Sequence, residues 1–545
     1  MMFAVLTGLV LSILAGSPAT ASPVIRGDAV FEHYQKTYGR PARGGHLRTI
    51  ILPVRGLDPH MVNGDATAWV TGLVYNSLLR LNQKGDRVLP DLAESWQRRD
   101  ERTWVFRLRS GVRFQSVAPV NGRQLTSADV KYSLERMMGR FGKAGRFSHR
   151  HYLDGHVTSI TTPDTRTVVI RTARPYAPLI NFLASPWSAI VPREAVDHHG
   201  NLQNHAIGTG PFILDAYVPG SHLHFRRNPD FFRSGRPWLD RISFRISASP
   251  ASNLSSWLAG KLDAMITYDF QIKTIREKTP DATLSALPGL HIWALRTPPV
   301  IPGKVPAKKP FNDVQVRRAL VLAIDKPRLL RLAAGGAGEV QAGPIPHGQQ
   351  PWGLPAGEQT PYDPARARKL LAAAGYPDGL DTELLTWNAP YMVKPAQIIQ
   401  QMLLQAGIRV RLRILEMATY FNRVARHKYD LSLHVMAARA DPQANLSSWF
   451  GAPGQSNSYS WPDPELQRMV YRQSSLFDQE KRRNLVHAIQ RRVIDTAPMV
   501  FLYSQTRFMA TRSWLHLRPY YESLQRLQAE DWWIDEKALQ AAGRR

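Results

Sequence analysis

The sequence predicts an α/β protein of two or three domains. Its 545 residues exceed the length of about 250–300 residues at which a single hydrophobic core stops growing. Hydrophobic residues make up 43% and aromatic residues 9% of the chain, which is typical of a globular protein that buries sizeable cores. Helix and strand patterns alternate through the second half, and this order favours the α/β class.

The helix patterns of the second half begin with recognisable signals. Asp313 stands before an amphipathic run and can cap it. Asp363 and Pro364 begin a second helix, with proline at the first helical position and a glycine after the end. A third helix is expected over Gln397–Gly407, and Ile408–Ile414 then alternates apolar and charged residues as a strand does.

The first half contains a strand pattern followed by a helix pattern. Thr103–Leu108 alternates in the period of a half-buried strand, Ser110–Gly111 supplies a turn, and Val112–Phe114 resumes the pattern. These segments predict a β-hairpin. Thr126 precedes Asp129 by three residues at the start of an apolar spacing, which predicts an N-capped amphipathic helix.

The first 43 residues are expected to precede the folded domains. Phe3–Ala15 is a largely apolar run too short to span a bilayer, and Ala19–Ala21 is a small-x-small site. We therefore expect a signal peptide over residues 1–21, although no Lys or Arg precedes the run; the alternative is an apolar element of the mature fold. Residues 22–43 form a polar arm, and the fold begins near Gly44. No later stretch reaches the roughly 18 apolar residues of a membrane helix.

Cysteine and charge limit the class of function. The chain has no cysteine, which removes disulfides and thiolate metal sites. The net charge is +27, a value that can favour nucleic acid or anionic membrane. Lys and Arg are spread along the chain without long runs, and no nucleic-acid-binding signature is present, so nucleic acid is not an expected partner. A general basic bias, attraction to a membrane surface and attraction to acidic solutes remain open.

Histidine pairs give the only basis for a metal site. His149 with His151, and His222 with His224, have the spacing that places two side chains on one face of a strand. Neither pair lies in a segment that we expect at a ligand site, and His198–His199 are adjacent residues whose side chains diverge. No metal and no other cofactor are therefore expected.

Several blocks of this sequence carry a family resemblance. In their order and spacing they resemble the peptide/nickel class of extracytoplasmic solute-binding proteins (family 5, oligopeptide- and dipeptide-binding-like), the soluble receptors of ABC importers. The resemblance covers roughly residues 44–536. The blocks are Leu57–Pro59, Pro90–Trp96, Thr103–Phe114, Leu125–Arg136, Ile207–Phe212, Arg227–Phe232, Pro237–Ile242 and Phe311–Leu320.

The resemblance implies a bilobed periplasmic-binding-protein fold. Two α/β lobes would enclose a cleft, and an extra subdomain would be inserted in the first lobe. The expected limits are 44–90, 203–298 and 505–545 for lobe I, 91–202 for the inserted subdomain and 299–504 for lobe II.

The resemblance also implies capture without chemistry. A peptide or peptide-like solute would bind in the cleft, the lobes would close about a hinge, and the monomer would deliver its ligand to an ABC permease pair with cytoplasmic ATPases. The protein would diffuse freely in a Gram-negative periplasm, because no cysteine is present to carry a lipid anchor. The alternatives are a non-peptide solute (an anionic conjugate, haem or a nickel chelate) and a periplasmic hydrolase. A hydrolase is disfavoured because neither a Gly-x-Ser-x-Gly elbow nor a His-Glu-x-x-His motif is present.

Two stretches match the ligand-pairing strands of this family. The first, residues 60–63, contains Val62 and Asn63. The second, residues 433–442, contains Ala438, Arg439 and Asp441. In peptide binders an aspartate here holds the ligand's α-amino group through a charge-assisted bond. Two registers are open: either Ala438 occupies that position and the carboxylate is missing, or Asp441 is the anchor.

Other side chains of the expected site have simpler interpretations too. Asp441 can be the N-cap of a following helix. Arg439 can hold a carboxylate or phosphate through its planar fork, or be a solvated surface charge. Trp387 and Tyr391 can form a wall of the pocket or belong to a core.

Overall fold

The structure is a computed structural model, and all structural statements below refer to the residues that it describes. These are 25–26, 41–62, 64–142, 147–287, 289–299, 310–355, 357–439, 441–451, 461–517 and 527–541. The predicted signal peptide, most of the predicted arm and Asn63 lie outside them.

The described residues form 22 β-strands. In chain order they are β1 Ile25–Arg26, β2 His46–Ile51, β3 Leu79–Leu81, β4 Val88–Pro90, β5 Ala93–Arg98, β6 Thr103–Leu108, β7 Val157–Asp164, β8 Thr167–Thr172, β9 Phe212–Val218, β10 His222–Arg227, β11 Arg241–Ile246, β12 Ala264–Thr267, β13 Thr283–Leu287, β14 His291–Arg296, β15 Gly338–Val340, β16 Leu380–Trp387, β17 Ile408–Leu415, β18 Leu431–Ala437, β19 Met499–Gln505, β20 Arg507–Thr511, β21 Leu515–His516 and β22 Trp533–Ile534.

Helices are distributed along the chain between these strands. The α-helices are α1 Asp65–Val74, α2 Ser127–Met137, α3 Leu179–Leu183, α4 Arg193–His199, α5 Pro250–Leu258, α6 Asp269–Lys278, α7 Val314–Leu322, α8 Lys326–Ala334, α9 Pro364–Ala373, α10 Pro390–Gln405, α11 Met417–Ala425, α12 Pro442–Phe450, α13 Pro464–Ser474, α14 Gln479–Thr496 and α15 Glu536–Ala541. Short 3-10 turns lie at Arg150–Tyr152, Pro186–Ser188 and Ala529–Asp531. None of the described helices is long and apolar enough to cross a membrane.

The larger sheets define two lobes and a subdomain. The first lobe has two four-stranded sheets, of strand order β2-β11-β10-β9 and β1-β13-β20-β12. The second lobe has a six-stranded sheet of order β15-β19-β14-β18-β16-β17. A further four-stranded sheet, β5-β6-β8-β7, forms the inserted subdomain. Its buried residues share one hydrophobic cluster with those of the first lobe.

The six-stranded sheet is covered on both faces. Along β14, Trp293 and Leu295 join one hydrophobic cluster with helices α7 to α10, because successive side chains of a strand point to opposite faces. Ile292 and Ala294 join a second cluster with α12 to α14. The sheet is therefore the middle layer of a helix-sheet-helix sandwich.

The chain passes between the lobes twice within one small region. It leaves the first lobe after β13 and enters the second at β14, and it returns between β19 and β20. The two segments touch at Gly289, where a Cβ atom would lie 1.6 Å from the carbonyl oxygen of Gln505. Only glycine fits there. β14 falls within the range 203–298 that we expected for lobe I, yet it pairs with β18 and β19 of the second lobe.

Most of the predicted elements are confirmed, and one pairing is wrong. Asp313 caps α7 by accepting a bond from the Gln315 amide at 2.7 Å. The Thr126 amide donates to Asp129 at 2.8 Å as α2 begins. The predicted hairpin between Thr103–Leu108 and Val112–Phe114 does not form. β6 pairs instead with β5 and β8, so both of its edges are occupied by other strands.

Replacement of Gly289 by alanine should destabilise the protein strongly. The added methyl group would meet backbone rather than a movable side chain, and overpacking of this kind costs about 1–3 kcal/mol or more. Gly220→Ala is the control, since it has φ +75° but open space around it, and left-handed backbone alone costs about 1–2 kcal/mol. Urea unfolding should show a larger loss for Gly289→Ala. An equal or smaller loss would contradict the steric role of this contact.

Candidate functional site

The lobes face each other across a cleft whose base is bridged by an ion pair. Asp65 begins α1 of the first lobe, and its Oδ2 lies 3.0 Å from Nε2 of His291, the first residue of β14. Burial opposes ionisation of Asp65, but the charges of His291, Arg507 and Arg439 outweigh burial and hold its pKa below the ordinary value. The carboxylate thus stays ionised beside the two chain crossings.

The predicted ligand strand of the second lobe runs along this cleft. β18 is antiparallel to β14, with Ala437 opposite His291. The amide of Ala438 donates to the carbonyl of Leu290 at 2.8 Å, and Ala438 is only 1% exposed. Ala438 therefore packs against the crossing segment.

Arg439 follows at the end of this stretch. Its carbonyl accepts a bond from Gln349 Nε2 at 2.7 Å, which fixes the backbone. Its guanidinium forms neither a hydrogen bond nor a salt bridge with any residue that the structure describes. The side chain is half-buried, and its charge acts on Asp65, His149 and His151. The structure thus places Arg439 at the end of this stretch with its side chain partly shielded from solvent.

Asp441 is fully buried, and its carboxylate accepts hydrogen bonds from several donors. Its side chain caps α12 by accepting from the Gln443 amide at 2.8 Å. Arg482 donates two bonds to it, at 2.9 and 2.5 Å. Asn181 of the inserted subdomain donates a further bond, from Nδ2 at 2.7 Å. This carboxylate joins the second lobe to the inserted subdomain, and a ligand amine could reach it only by displacing one of these donors.

Further contacts close the same interface. Arg98 lies over the ring of Phe477 at 3.7 Å. Arg174 lies over the ring of Tyr471 at 4.7 Å. The amide of Ala177 donates to the carbonyl of Ser474 at 2.8 Å. The inserted subdomain and helix α13 with its following loop therefore touch, and the cleft is closed on this side.

The other predicted site residues are dispersed. Trp387 is 6% exposed and packs in the core of the second lobe, 4.9 Å from the ring of Tyr420. Tyr391 is 52% exposed, with its ring 6.2 Å from that of Trp387. Val62 does not lie in a strand; it follows a turn and its amide bonds to the Asp58 carbonyl. Asn63 lies outside the described residues.

A histidine-bearing segment of the inserted subdomain, residues 148–152, packs against the first lobe. His149 is 3% exposed, stacks on Trp187 at 4.4 Å, and has no hydrogen-bond partner for either ring nitrogen among the described residues. Burial, and then the charge of Arg439, lower its pKa well below the usual value. Ser148 ties the segment to the first lobe through its hydroxyl, which donates to the Met61 carbonyl at 2.8 Å.

The first histidine pair, His149 and His151, lies in this segment, with ring centroids 6.2 Å apart. The second pair, His222 and His224, lies on a sheet of the first lobe, with ring centroids 4.4 Å apart. No group of three or more potential metal ligands occurs in the part of the chain that the structure describes.

The buried histidines should make stability depend on pH. Burial lowers the pKa of His156 to about 4, below the unfolded value of about 6.5. The unfolded chain thus binds more protons between pH 6.5 and 4, and stability falls as the pH is lowered through this range. The free energy of unfolding, measured in urea, is plotted against pH between 4 and 6.5. His156→Gln should reduce the slope of this plot by up to about 1.4 kcal/mol per pH unit.

Exposed His198 provides the control for this measurement, and His198→Gln should leave the slope unchanged. An unchanged slope in His156→Gln would show that His156 is protonated equally in the folded and unfolded states.

Loss of the buried cation at Arg482 should be costly. Arg482→Gln leaves the Asp441 carboxylate without its ionic partner, and breaking such a buried pair costs about 3–5 kcal/mol. The adjacent Arg483 is 40% exposed and pairs with Glu480, so Arg483→Gln should change the free energy of unfolding by less than about 1 kcal/mol. Chemical denaturation of both variants tests the difference. Equal losses would show that the Asp441 pair is not a main support of the closed interface.

Two α/β lobes that close around a polar cleft define a bilobed solute-binding protein. Comparison with known proteins agrees with this class. Residues 87–457 match the family described as bacterial extracellular solute-binding proteins, family 5 Middle. Because the match spans more than half of the chain, the protein belongs to this family, whose members bind solutes.

Relatives and solved structures cover most of the chain. The "Di/tripeptide-binding protein 1" of Pseudomonas aeruginosa is 26% identical over 469 residues, which cover 81% of this chain and 85% of that protein. The periplasmic binding protein DppA of Helicobacter pylori, in complex with the peptide STSA, has a TM-score of 0.79 at 23% identity, covering 91% of this chain and 99% of the other. AgaA of A. tumefaciens R10, in complex with agropinic acid, has a TM-score of 0.75 at 23% identity, covering 90% and 99%.

Proposed function

We propose that this protein captures peptide or peptide-like solutes in the interlobe cleft and delivers them to the permease pair of an ABC importer. The observation that carries the proposal is the closed cleft, in which Asp65 of the first lobe contacts His291 of the second lobe and Asn181 of the inserted subdomain contacts Asp441. Closure over a solute would give the permease a form to recognise that differs from the open form.

The choice of peptides is supported by the relatives. The Pseudomonas protein is named for di- and tripeptides, and the Helicobacter structure contains a peptide. A non-peptide solute is the second candidate, and the agropinic acid complex favours it. The family includes receptors for both kinds of solute among these proteins, so the ligand must be decided by the cleft itself.

The proposed mechanism uses the two chain crossings as the hinge. They lie side by side at Gly289 and Gln505 and carry no helix, so small backbone rotations there would move the lobes as rigid bodies. The Asp65–His291 pair would then form as the lobes approach, and the bond from Asn181 to Asp441 would complete the interface. We therefore propose that Asp441 stabilises the closed form by accepting the bond from Asn181. The lining roles of Val62, Asn63, Trp387 and Tyr391 stay predictions.

The location and partners follow from the same proposal. The apolar run and the small-x-small site near the start of the sequence support export to the periplasm. We propose that the protein acts there as a monomer, with the inner-membrane permease pair and its cytoplasmic ATPases as partners.

Native mass spectrometry of the protein purified from the periplasm tests the proposal directly. We expect a distribution of bound peptide masses. After removal of bound ligand, mixtures of di- to pentapeptides should raise the melting temperature by on the order of a few degrees at a hundredfold excess over Kd. A mixture of free sugars at the same concentration is the control. A single non-peptide mass, with no shift from any peptide, would contradict the peptide assignment.

A further inference from the structure

The sheet β2-β11-β10-β9 of the first lobe has one buried face and one polar face. Leu223, Phe225 and Phe244 are at most 1% exposed and belong to the main hydrophobic cluster. Because successive side chains of a strand point to opposite faces, the residues between them lie on the other side of the sheet. The strand pairing places basic and polar residues there, among them His222, His224, Arg241, Ser243, Arg245 and Arg48. The first lobe therefore carries a basic face outside its core.

A pocket of about 190 Å³ lies at one end of this face, where α5 and the segment after it cover the sheet. Ile50 of β2 packs with Trp257 and Leu262 beneath that cover. Drug-sized ligands occupy pockets of roughly 300–1,000 Å³, so this smaller pocket suits a single chemical group. Its polar lining includes Arg48, His222, His224, Ser243, Arg245 and Lys261.

Two cations of the pocket have no acidic partner in the part of the chain that the structure describes. Arg48 is not one of them, since its guanidinium lies 2.7 Å from the carboxylate of Asp263. Arg245 donates only to neutral oxygen atoms of α5, all through Nη2, and its Nε is buried without a partner. Lys261 is exposed, and its ammonium group bonds to none of the described residues. A buried donor without a partner is costly, and the two unpaired charges favour an anion.

The two histidines stand beside these cations. In the antiparallel pairing of β10 and β11, His222 lies opposite Arg245 and His224 lies opposite Ser243, so their side chains are neighbours on one face. The two imidazole rings are 4.4 Å apart between centroids. Nδ1 of His224 bonds to Ser243 Oγ at 2.7 Å, and Nδ1 of His222 bonds to Ser221 Oγ at 2.9 Å. Each ring is thus held at Nδ1, and its Nε2, unbonded within the described chain, is available to a ligand.

We propose that this pocket binds a phosphomonoester group, with its charge balanced by Arg245 and Lys261 and its oxygens bonded to Nε2 of His222 and His224. Arginine binds phosphate through a planar fork and lysine as a compact charge. A phosphomonoester carries a charge of about −1.5 to −2 at neutral pH, which two cations match better than they match the single charge of a carboxylate. The group can belong to a soluble phosphorylated molecule or to the headgroup of a lipid such as phosphatidic acid. The net charge of +27 attracts either source.

Titration calorimetry with inorganic phosphate at neutral pH tests the pocket. Phosphate should bind, and acetate should bind at least roughly tenfold more weakly, because it has one charge. Arg245→Gln should weaken phosphate binding roughly 10- to 100-fold, as expected for loss of a charge-assisted bond. Lys261→Gln should weaken it roughly 2- to 5-fold, since an exposed charge contributes less. The double variant His222→Ala/His224→Ala should weaken it roughly 2- to 10-fold.

Arg411→Gln and Lys273→Gln are the matched controls. The side chains of Arg411 on β17 and Lys273 on α6 are 80% and 87% exposed, and each change removes one positive charge. Both controls should keep the phosphate affinity of the unmodified protein. Equal losses in a control and in its matched pocket variant would assign the binding to net charge and overturn the proposal. Urea unfolding verifies that Arg245→Gln is folded, and Lys261→Gln, at an exposed position, provides the test if it is not.

Flotation with phosphatidylcholine vesicles, prepared with and without phosphatidic acid, distinguishes the two sources of the group. Binding that requires phosphatidic acid and is lost in the pocket variants, but kept in the controls, would support the pocket and assign it to a lipid headgroup. Phosphate binding without vesicle binding would support it as a site for soluble phosphomonoesters. The proposal fails if neither phosphate nor vesicles bind, or if Arg245→Gln and Lys261→Gln bind as tightly as the unmodified protein.

Discussion

The two lobes depend on one backbone contact, the place where the two crossing segments of the chain lie against each other. At Gly289 there is no room for a side chain, because the carbonyl of Gln505 occupies the position that a Cβ atom would take. Asp65, His291 and Arg507 surround the same region, at the start or end of the elements that enter and leave it. The hinge and the base of the cleft are thus one structure, and any solute bound there contacts groups whose positions change with closure.

Buried ion pairs hold the segments on either side of this region. Asp58, in the turn after β2, accepts two bonds from Arg136 of α2, at 2.9 and 2.6 Å, and one from the Leu202 amide at 3.2 Å. The charges of Arg136 outweigh the effect of burial and lower the pKa of Asp58. His60 accepts a bond from the same guanidinium and donates to the Ala189 carbonyl. The buried Asp58–Arg136 pair is supported by hydrogen bonds on every side, without which such burial would be unfavourable.

A buried carboxylate near the expected site can stabilise the fold rather than bind a ligand, and Asp441, paired with Arg482, is such a case. Asp441 has the charge required of an amine anchor, but it is engaged by Arg482, by Asn181 and by its own helix. Asp441 is the N-cap of helix α12, and the two registers, with Ala438 or Asp441 at the anchoring position, stay predictions. Arg439 has a half-buried side chain, and its two interpretations, an anion-binding group and a solvated surface charge, stay predictions.

Local patterns were sufficient for most elements of the fold. The caps at Asp313 and Thr126 and the strand Thr103–Leu108 follow from interactions between residues close in sequence. The hairpin predicted after β6 does not form, because both edges of β6 are occupied by β5 and β8. The residues next to β6 in sequence do not show which strands will pair with it. For the same reason β14 could not be assigned to its sheet from its own residues.

The sequence by itself determined the class of protein: its family blocks, its α/β pattern and the absence of catalytic motifs all follow from residue types and short spacings. Only the tertiary structure decided which polar groups meet in the cleft. Asn181 and Asp441 lie 260 positions apart, and nothing local to either residue predicts that they meet. Pairing is settled by which other side chains reach the same place, and that depends on how the two lobes and the inserted subdomain close together.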